Sequence, residues 1–165
     1  MNRFDADYYP LQLGNHILGG GFYATRLYRD LREKTGYVYN VDEELEAGRT
    51  RTRFTVSYGA DPINVPKARA LIEQDLTAMQ TAPPSPEEMA QARAMLIRQI
   101  PLGESSESQI ADGFLARATI GLPLDEPIHA AERYEKLSAE EVRAAFAKWI
   151  RPGDFVEVVE GPPPK

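Results

Sequence analysis

The chain has 165 residues, 42% of them hydrophobic, which is enough for one domain with a sizeable core. Its 25 acidic and 19 basic residues give a net charge of −6, which does not indicate a basic surface for nucleic acid. The absence of cysteine excludes disulfides, thiolate metal sites and cysteine nucleophiles. The sequence starts MNRFDADYYP, unlike a signal or transit peptide, and has no run of about 18 apolar residues. We therefore expect a single domain, 1–165, with short tails at 1–6 and 162–165 and no membrane span.

The first third of the chain predicts two helices and a hairpin. Asp7 caps a helix that runs to Leu18, where three glycines indicate a loop or a sharp bend. Helical spacing resumes over residues 25–34 and stops at Gly36. Apolar residues then alternate with polar ones through residues 37–58, which predicts an antiparallel hairpin.

The rest of the chain is mainly helical in pattern. Two capping boxes, at Ser85 and at Ser138, mark helix starts, and an alternating segment follows the last helix. The predicted elements are helices over 65–80, 85–100, 105–119 and 138–149, a short turn at 128–134 and a strand over 155–161. This order predicts an α+β fold, a two-layer sandwich of a mostly antiparallel sheet and a helical layer. Because the sheet is small for so many helices, we expect its first strand to be missing.

Most catalytic chemistries lack their residues in this chain. A catalytic zinc needs three converging ligands, but only His16 and His129 are present, and neither lies in an HxxEH or HExxH motif. Glu126 and Glu132 flank His129, but a solvated surface histidine is the favoured interpretation. No serine has a nucleophile-elbow sequence, and the triple glycine matches no phosphate-binding fingerprint. We therefore expect neither metal nor cofactor in this chain.

Arg32 and Tyr39 are the candidate site residues, seven positions apart across a predicted helix–strand junction. In one interpretation Arg32 complements the negative end of its helix and Tyr39 is an inward aromatic. In the other, a guanidinium and a phenol converge on one carbonyl, as a fixed charge and as a donor to an oxyanion. Composition alone favours the first interpretation.

Three stretches of the sequence resemble a known family. Residues 15–20, 25–28 and 31–39 read NHILGG, TRLY and LREKTGYVY. They are similar to N-x-I-L-G-G, S-R-L-[FY] and L-R-E-K-x-G-L-x-Y, the pattern of the second domain of pitrilysin-type (M16) zinc peptidases. That family includes insulin-degrading enzyme and mitochondrial processing peptidase. Looser similarity extends over essentially the whole chain.

The resemblance implies a fold like that of mitochondrial processing peptidase and a role in peptide hydrolysis. In the family, an N-terminal half binds zinc through HxxEH and a distal glutamate, and the zinc-free C-terminal half contributes an arginine and a tyrosine to the substrate. These positions carry over to Arg32 and Tyr39. The implied partners are a zinc-bearing domain and an extended peptide, and the domain alone should be inactive.

Two departures from the family pattern matter. Tyr37 replaces the usual leucine and offers a second phenol, so the assignment to Tyr39 depends on spacing. The expected strand before Asp7 is missing, and the exposed sheet edge favours pairing with a second copy of the chain.

Two further hypotheses stay open: an M16-like scaffold without catalytic function, and a module that binds peptides by strand addition without hydrolysis. The alanine- and arginine-rich composition suggests a bacterial source, for which a periplasmic location is one hypothesis.

Overall fold

Six α-helices, two π-helical segments, one short 3-10 helix at Pro152–Asp154 and one β-hairpin make up the regular structure of the described residues, 1–21 and 23–161, in the computed structural model. The helices and strands have the following bounds: α1 Tyr8–Asn15, π1 His16–Gly20, π2 Tyr28–Lys34, β1 Asn40–Ala47, β2 Thr52–Gly59, α2 Val65–Thr81, α3 Pro86–Leu102, α4 Glu107–Ile120, α5 Glu126–Lys136 and α6 Ala139–Trp149. The α+β fold with a helical layer on an antiparallel sheet is confirmed, although among the described residues that sheet contains only β1 and β2.

Both capping boxes form as the sequence predicts. The Glu88 N–H donates to Ser85 Oγ at 3.2 Å, and the Ser85 N–H donates back to Glu88 Oε2 at 2.8 Å. Ser138 and Glu141 repeat this reciprocal pair at the start of α6, at 3.2 Å and 2.8 Å. Because each box satisfies otherwise unpaired backbone donors, the starts of α3 and α6 are fixed locally.

The core lies between the hairpin and the helices, with α1 at its centre. In the hairpin Asn40 lies opposite Gly59 and Ala47 opposite Thr52, so alternate side chains of both strands face the helical layer. Gly14 of α1 contacts α6 closely, since a Cβ at this position would lie 2.3 Å from Phe146 Cε2. The helical stripes predicted from the sequence supply the fully buried core residues, among them Leu27, Leu31, Ala68, Leu76, Met79, Val142 and Phe146.

The structure corrects three predictions about helices. The triple glycine is not simply a loop, because Gly19 and Gly20 belong to π1, which continues the buried α1. The helix predicted over 85–100 does not stop at residue 100, because α3 continues through Pro101 to Leu102. The segment predicted as a short turn at 128–134 is part of the 11-residue helix α5, whose inward residues are Glu126, Ala130 and Tyr134.

The predicted strand at 155–161 is wrong. A strand needs a hydrogen-bonded neighbour, and in the described chain this segment has none. Val156 and Val158 are 89% and 87% exposed, whereas Phe155 stacks on Phe54 of β2 at a centroid distance of 5.9 Å. The segment is therefore held beside the hairpin by side chains.

The structure describes the first predicted tail, residues 1–6, but not the second. Arg3, in the segment 1–6, is only 9% exposed, and its N–H donates to Gly48 O at 2.9 Å in the turn between the strands. Residues 162–165 lie outside the described range. Within that range, no helix is both long and apolar enough to cross a membrane.

Candidate functional site

The backbone reverses direction between π2 and β1. Gly36 has a φ of +63°, in the left-handed region that favours glycine. The N–H groups of Tyr37 and Val38 then donate to Leu31 O, at 2.9 Å and 3.4 Å, and the buried side chains of Leu31 and Val38 hold the turn against the core. As a result residues 37–39 return beside the last turn of π2.

This reversal brings the two predicted site residues together on the surface. Arg32 is exposed on π2, and its Nη1 donates to Val38 O at 3.2 Å. Tyr39 is 62% exposed, and its N–H donates to Gly59 O at 2.7 Å, which fixes its backbone at the open end of the hairpin. The Arg32 charge is close enough to act on the Tyr39 phenol, where it favours the phenolate.

A third residue, Asp61, joins this pair. The nearby Asp61 side chain is the main reason why the pKa of Tyr39 lies above its usual value. The nearby Arg32 charge opposes that rise. The sequence patterns did not single out Asp61 as a site residue. The hairpin register was the available signal, because a chain that leaves β2 after Gly59 passes the residues that enter β1.

Tyr37, the other phenol near the site, has a different environment. It is half-buried and packs against the hydrophobic core. The Lys67 Nζ lies 5.4 Å from the centroid of its ring, within cation–π range. Tyr37 therefore covers the core where the family pattern has leucine, and Tyr39 is the phenol that is open to solvent.

The other motif residues have packing roles. Arg26 is bidentate to Glu88, with Nε–Oε1 at 2.7 Å and Nη2–Oε2 at 2.9 Å, and so joins the segment just before π2 to the start of α3. His16 is buried, which lowers its pKa, while His129 is exposed on α5 with its Nε2 3.4 Å from Asp125 Oδ2. Throughout the described residues, no group of three or more His, Cys, Asp or Glu side chains is arranged to hold a metal ion.

The sequence matches one family model over more than half of its length. The model describes the peptidase M16 inactive domain, and it aligns with residues 3–96, which include Arg32, Tyr39 and Asp61. The chain belongs to this family. The M16 inactive domain is thus the part of the molecule that carries the candidate site. No curated protein matches the sequence.

Several solved structures share this fold. A crystal structure of a peptidase M16 inactive domain from Pseudomonas fluorescens is 27% identical, with a TM-score of 0.81 over 92% of this chain and 36% of that one. The inactive peptidase domain of a candidate zinc protease from Bordetella parapertussis is 16% identical, with a TM-score of 0.74 over 89% and 79% of the two chains. A protease from Helicobacter pylori is 12% identical, with a TM-score of 0.81 over 92% and 36%. The chain thus spans about a third of the Pseudomonas and Helicobacter proteins.

Proposed function

We propose that this M16 inactive domain is the substrate-binding, zinc-free half of a pitrilysin-type metallopeptidase. The observation that carries the proposal is the exposed Arg32–Tyr39 pair, which two different elements bring to one surface. A guanidinium that stays charged at any working pH supplies a fixed positive charge, and a phenol supplies one hydrogen-bond donor. Together they suit a peptide carbonyl whose oxygen becomes negative during hydrolysis.

The partner in this proposal is a domain or subunit that carries HxxEH and binds the zinc ion. That ion would activate the attacking water. The residues of this chain bind and orient an extended peptide: Arg32 attracts the carbonyl oxygen, and the Tyr39 phenol donates to the oxyanion. Without its partner the domain binds peptide but does not cleave it.

The proposal is tested by mixing the domain with a zinc-bearing M16 partner and measuring the turnover of a fluorogenic peptide. Tyr39→Phe removes one oxyanion donor without changing the ring, and we expect kcat to fall by about 10²- to 10³-fold. Arg32→Ala should raise KM as well, because it removes a charge that acts on the ground state. Arg49→Ala, at the opposite end of the hairpin, is the matched control and should change neither constant. Unchanged turnover in both site variants would refute the catalytic role.

The competing function is that of a scaffold that pairs with a second copy through its sheet edge. Among the described residues β1 and β2 pair only with each other, so each leaves one edge open. Light scattering separates the two functions. A dimer that persists in Arg32→Ala and Tyr39→Phe, together with no peptide affinity in any variant, would favour the scaffold.

A further inference from the structure

Helix α4 differs from the other α-helices because it buries no side chain. None of its residues is buried by the described part of the chain, whereas each of the other five α-helices buries at least three residues. The half-buried residues of α4 share one side of the helix: Ile110, Gly113, Arg117 and Ile120. On that side Arg117 Nη2 lies 3.6 Å from Glu104 Oε1, just before the helix begins. The rest of the helix surface is open to solvent.

The exposed side of α4 carries an apolar stripe. Its members have the spacing i, i+3, i+4 and i+7, which places them on one face of the helix: Ala111, Phe114, Leu115 and Ala118. All four are exposed, with Phe114 at 43% and Leu115 at 68%. We call this face the α4 stripe. A helix normally packs such a stripe against its own core, and a stripe that faces solvent marks a surface for another protein.

The charges beside the α4 stripe are acidic. Glu107 lies on the same side of the helix in its first turn, Asp112 lies next to Ala111, and neither forms an ion pair with a described residue. Arg117 is the one basic residue of α4, and it lies on the other side, near Glu104. A complementary surface is therefore apolar at its centre and basic at its edge. A second copy of the chain brings the same acids and a net charge of −6, which opposes the pairing of two α4 stripes.

The partner that fits this surface is the one that the proposed function requires. About two-thirds of the Pseudomonas fluorescens chain lies outside the part that matches this domain, so that chain has room for a further domain beside it. We propose that the α4 stripe is the docking surface for the zinc-bearing half of the peptidase, which contacts it through an apolar patch with a basic edge. This inference rests on the proposed function, because it needs the same partner.

The first test measures the Kd between the domain and a dye-labelled, zinc-bearing M16 partner by fluorescence anisotropy. Leu115→Gln makes the centre of the stripe polar and keeps a good helix former, so we expect Kd to rise about 10- to 100-fold. Ala118→Glu places a negative charge in the stripe and should weaken binding in the same direction. Ile63→Gln is the matched control, because Ile63 is 75% exposed just before α2, and it should not change Kd. An unchanged Kd in both α4 variants would overturn the proposal.

The second test measures the rate of association by stopped flow. Glu107→Gln/Asp112→Asn removes the acids beside the stripe, so association at low salt should become about two- to fivefold slower and less dependent on salt. An unchanged or faster rate would overturn the basic chemistry assigned to the partner.

Two further outcomes separate this inference from the proposed function. If Arg32→Ala and Tyr39→Phe reduce turnover while Leu115→Gln and Ala118→Glu leave Kd unchanged, the proposed function stands and the docking surface is refuted. If the domain alone is a dimer in light scattering, and Leu115→Gln makes it a monomer without changing the Kd for the partner, a second copy occupies the stripe and the proposal is wrong.

Discussion

Asp75 of α2 is a buried acid with an unusual environment. It is 7% exposed, and its Oδ2 has no hydrogen-bond partner among the described residues. Burial raises its pKa to about 6, helped by the negative charge of Asp30 and opposed by Arg29 and Arg26. Asp30 itself is held near pKa 2, chiefly by its hydrogen bond from Arg29. The two carboxyl groups therefore take up protons in well-separated pH ranges.

The raised pKa of Asp75 predicts that stability falls as pH increases from about 4 to 6. The Asp75 carboxyl has a pKa of 3.8 in the unfolded chain and about 6 in the native state. Between these pH values the native state binds a proton that the unfolded chain has lost, so native-state stability decreases as pH rises to about 6. A difference of about two pKa units corresponds to about 3 kcal/mol. Asp75→Asn keeps the volume, can donate to Asp30 and should raise the free energy of unfolding above pH 6 by about 1–3 kcal/mol.

Urea unfolding between pH 4 and 8 checks this expectation. Asp112→Asn, on the exposed side of α4, is the control, because it removes the same charge from the surface. If the pH dependence of Asp75→Asn between 4 and 6 equals that of the unsubstituted chain, the buried acid does not set it.

At the scale of elements, π1 lies against the hairpin because it contains glycine. A Cβ on Gly19 would lie 2.5 Å from Glu43 Cβ, so only glycine permits this approach. Glu43 is itself buried on the inner side of β1, without a partner for either carboxylate oxygen in the described structure, and burial raises its pKa well above the usual value. The three glycines indicated a loop or a sharp bend, because a local sequence pattern carries no information on what packs against them.

The Arg26–Glu88 pair connects two elements and predicts a loss of stability in acid. The bond from Arg26, more than the capping box, holds the pKa of Glu88 at about 2. A lowered native pKa means stability that is present above about 4.5 and is lost as pH falls toward 2. Arg26→Met should cost about 1–3 kcal/mol at neutral pH, since Glu88 is a quarter exposed and partly screened.

The measurement is thermal unfolding of Arg26→Met at pH 7 and pH 3, with Arg98→Met as the control on the exposed side of α3. The difference between Arg26→Met and the unsubstituted chain should shrink at pH 3. An equal difference at both pH values would show that Arg26 acts through packing alone.

Sequence patterns predicted the helices that are marked by a capping box or by a regular stripe of aliphatic residues. Capping boxes and aliphatic stripes located α2, α3 and α6, because cap chemistry and helical periodicity are properties of neighbouring residues. α5 was underestimated, because its inward stripe is Glu126, Ala130 and Tyr134, which has no aliphatic periodicity. The segment 155–161 has the alternation of a strand but no neighbour to pair with, which no local pattern reveals.

The candidate site, like the fold, was predicted in part from the sequence. The resemblance to the M16 pattern selected Arg32 and Tyr39, and the reversal at Gly36 brings these residues together. Asp61 was missed because its proximity to Tyr39 depends on the hairpin register and on the turn that follows β2. Such proximity between residues 22 positions apart has no signature in composition or periodicity.

At the scale of the whole molecule, Arg3 contacts three elements that are far apart in the sequence. Its guanidinium pairs with Glu126 of α5, and Glu126 Oε1 also accepts from the Tyr9 hydroxyl at 2.7 Å. The Arg3 Cζ lies 3.7 Å from the centroid of the Tyr8 ring, in cation–π contact. With its backbone bond to Gly48, Arg3 connects the hairpin turn, α1 and α5, and we call this set of contacts the Arg3 clamp. Residues 1–6 therefore contribute to the stability of the domain.

Breaking this clamp should destabilise distant parts of the molecule together. Arg3→Met keeps the apolar stem but leaves Glu126 buried and without its counter-charge, for which we expect a loss of about 3–5 kcal/mol in urea unfolding at pH 7. Arg3→Met/Glu126→Gln removes the orphaned charge and should recover part of that loss. Hydrogen exchange should show faster opening of both α5 and the hairpin turn in the single variant, whereas exposed Arg49→Met should change neither. A double variant no more stable than Arg3→Met would show that the buried charge is not what the clamp neutralises, and that ring packing against Tyr8 supplies its stability instead.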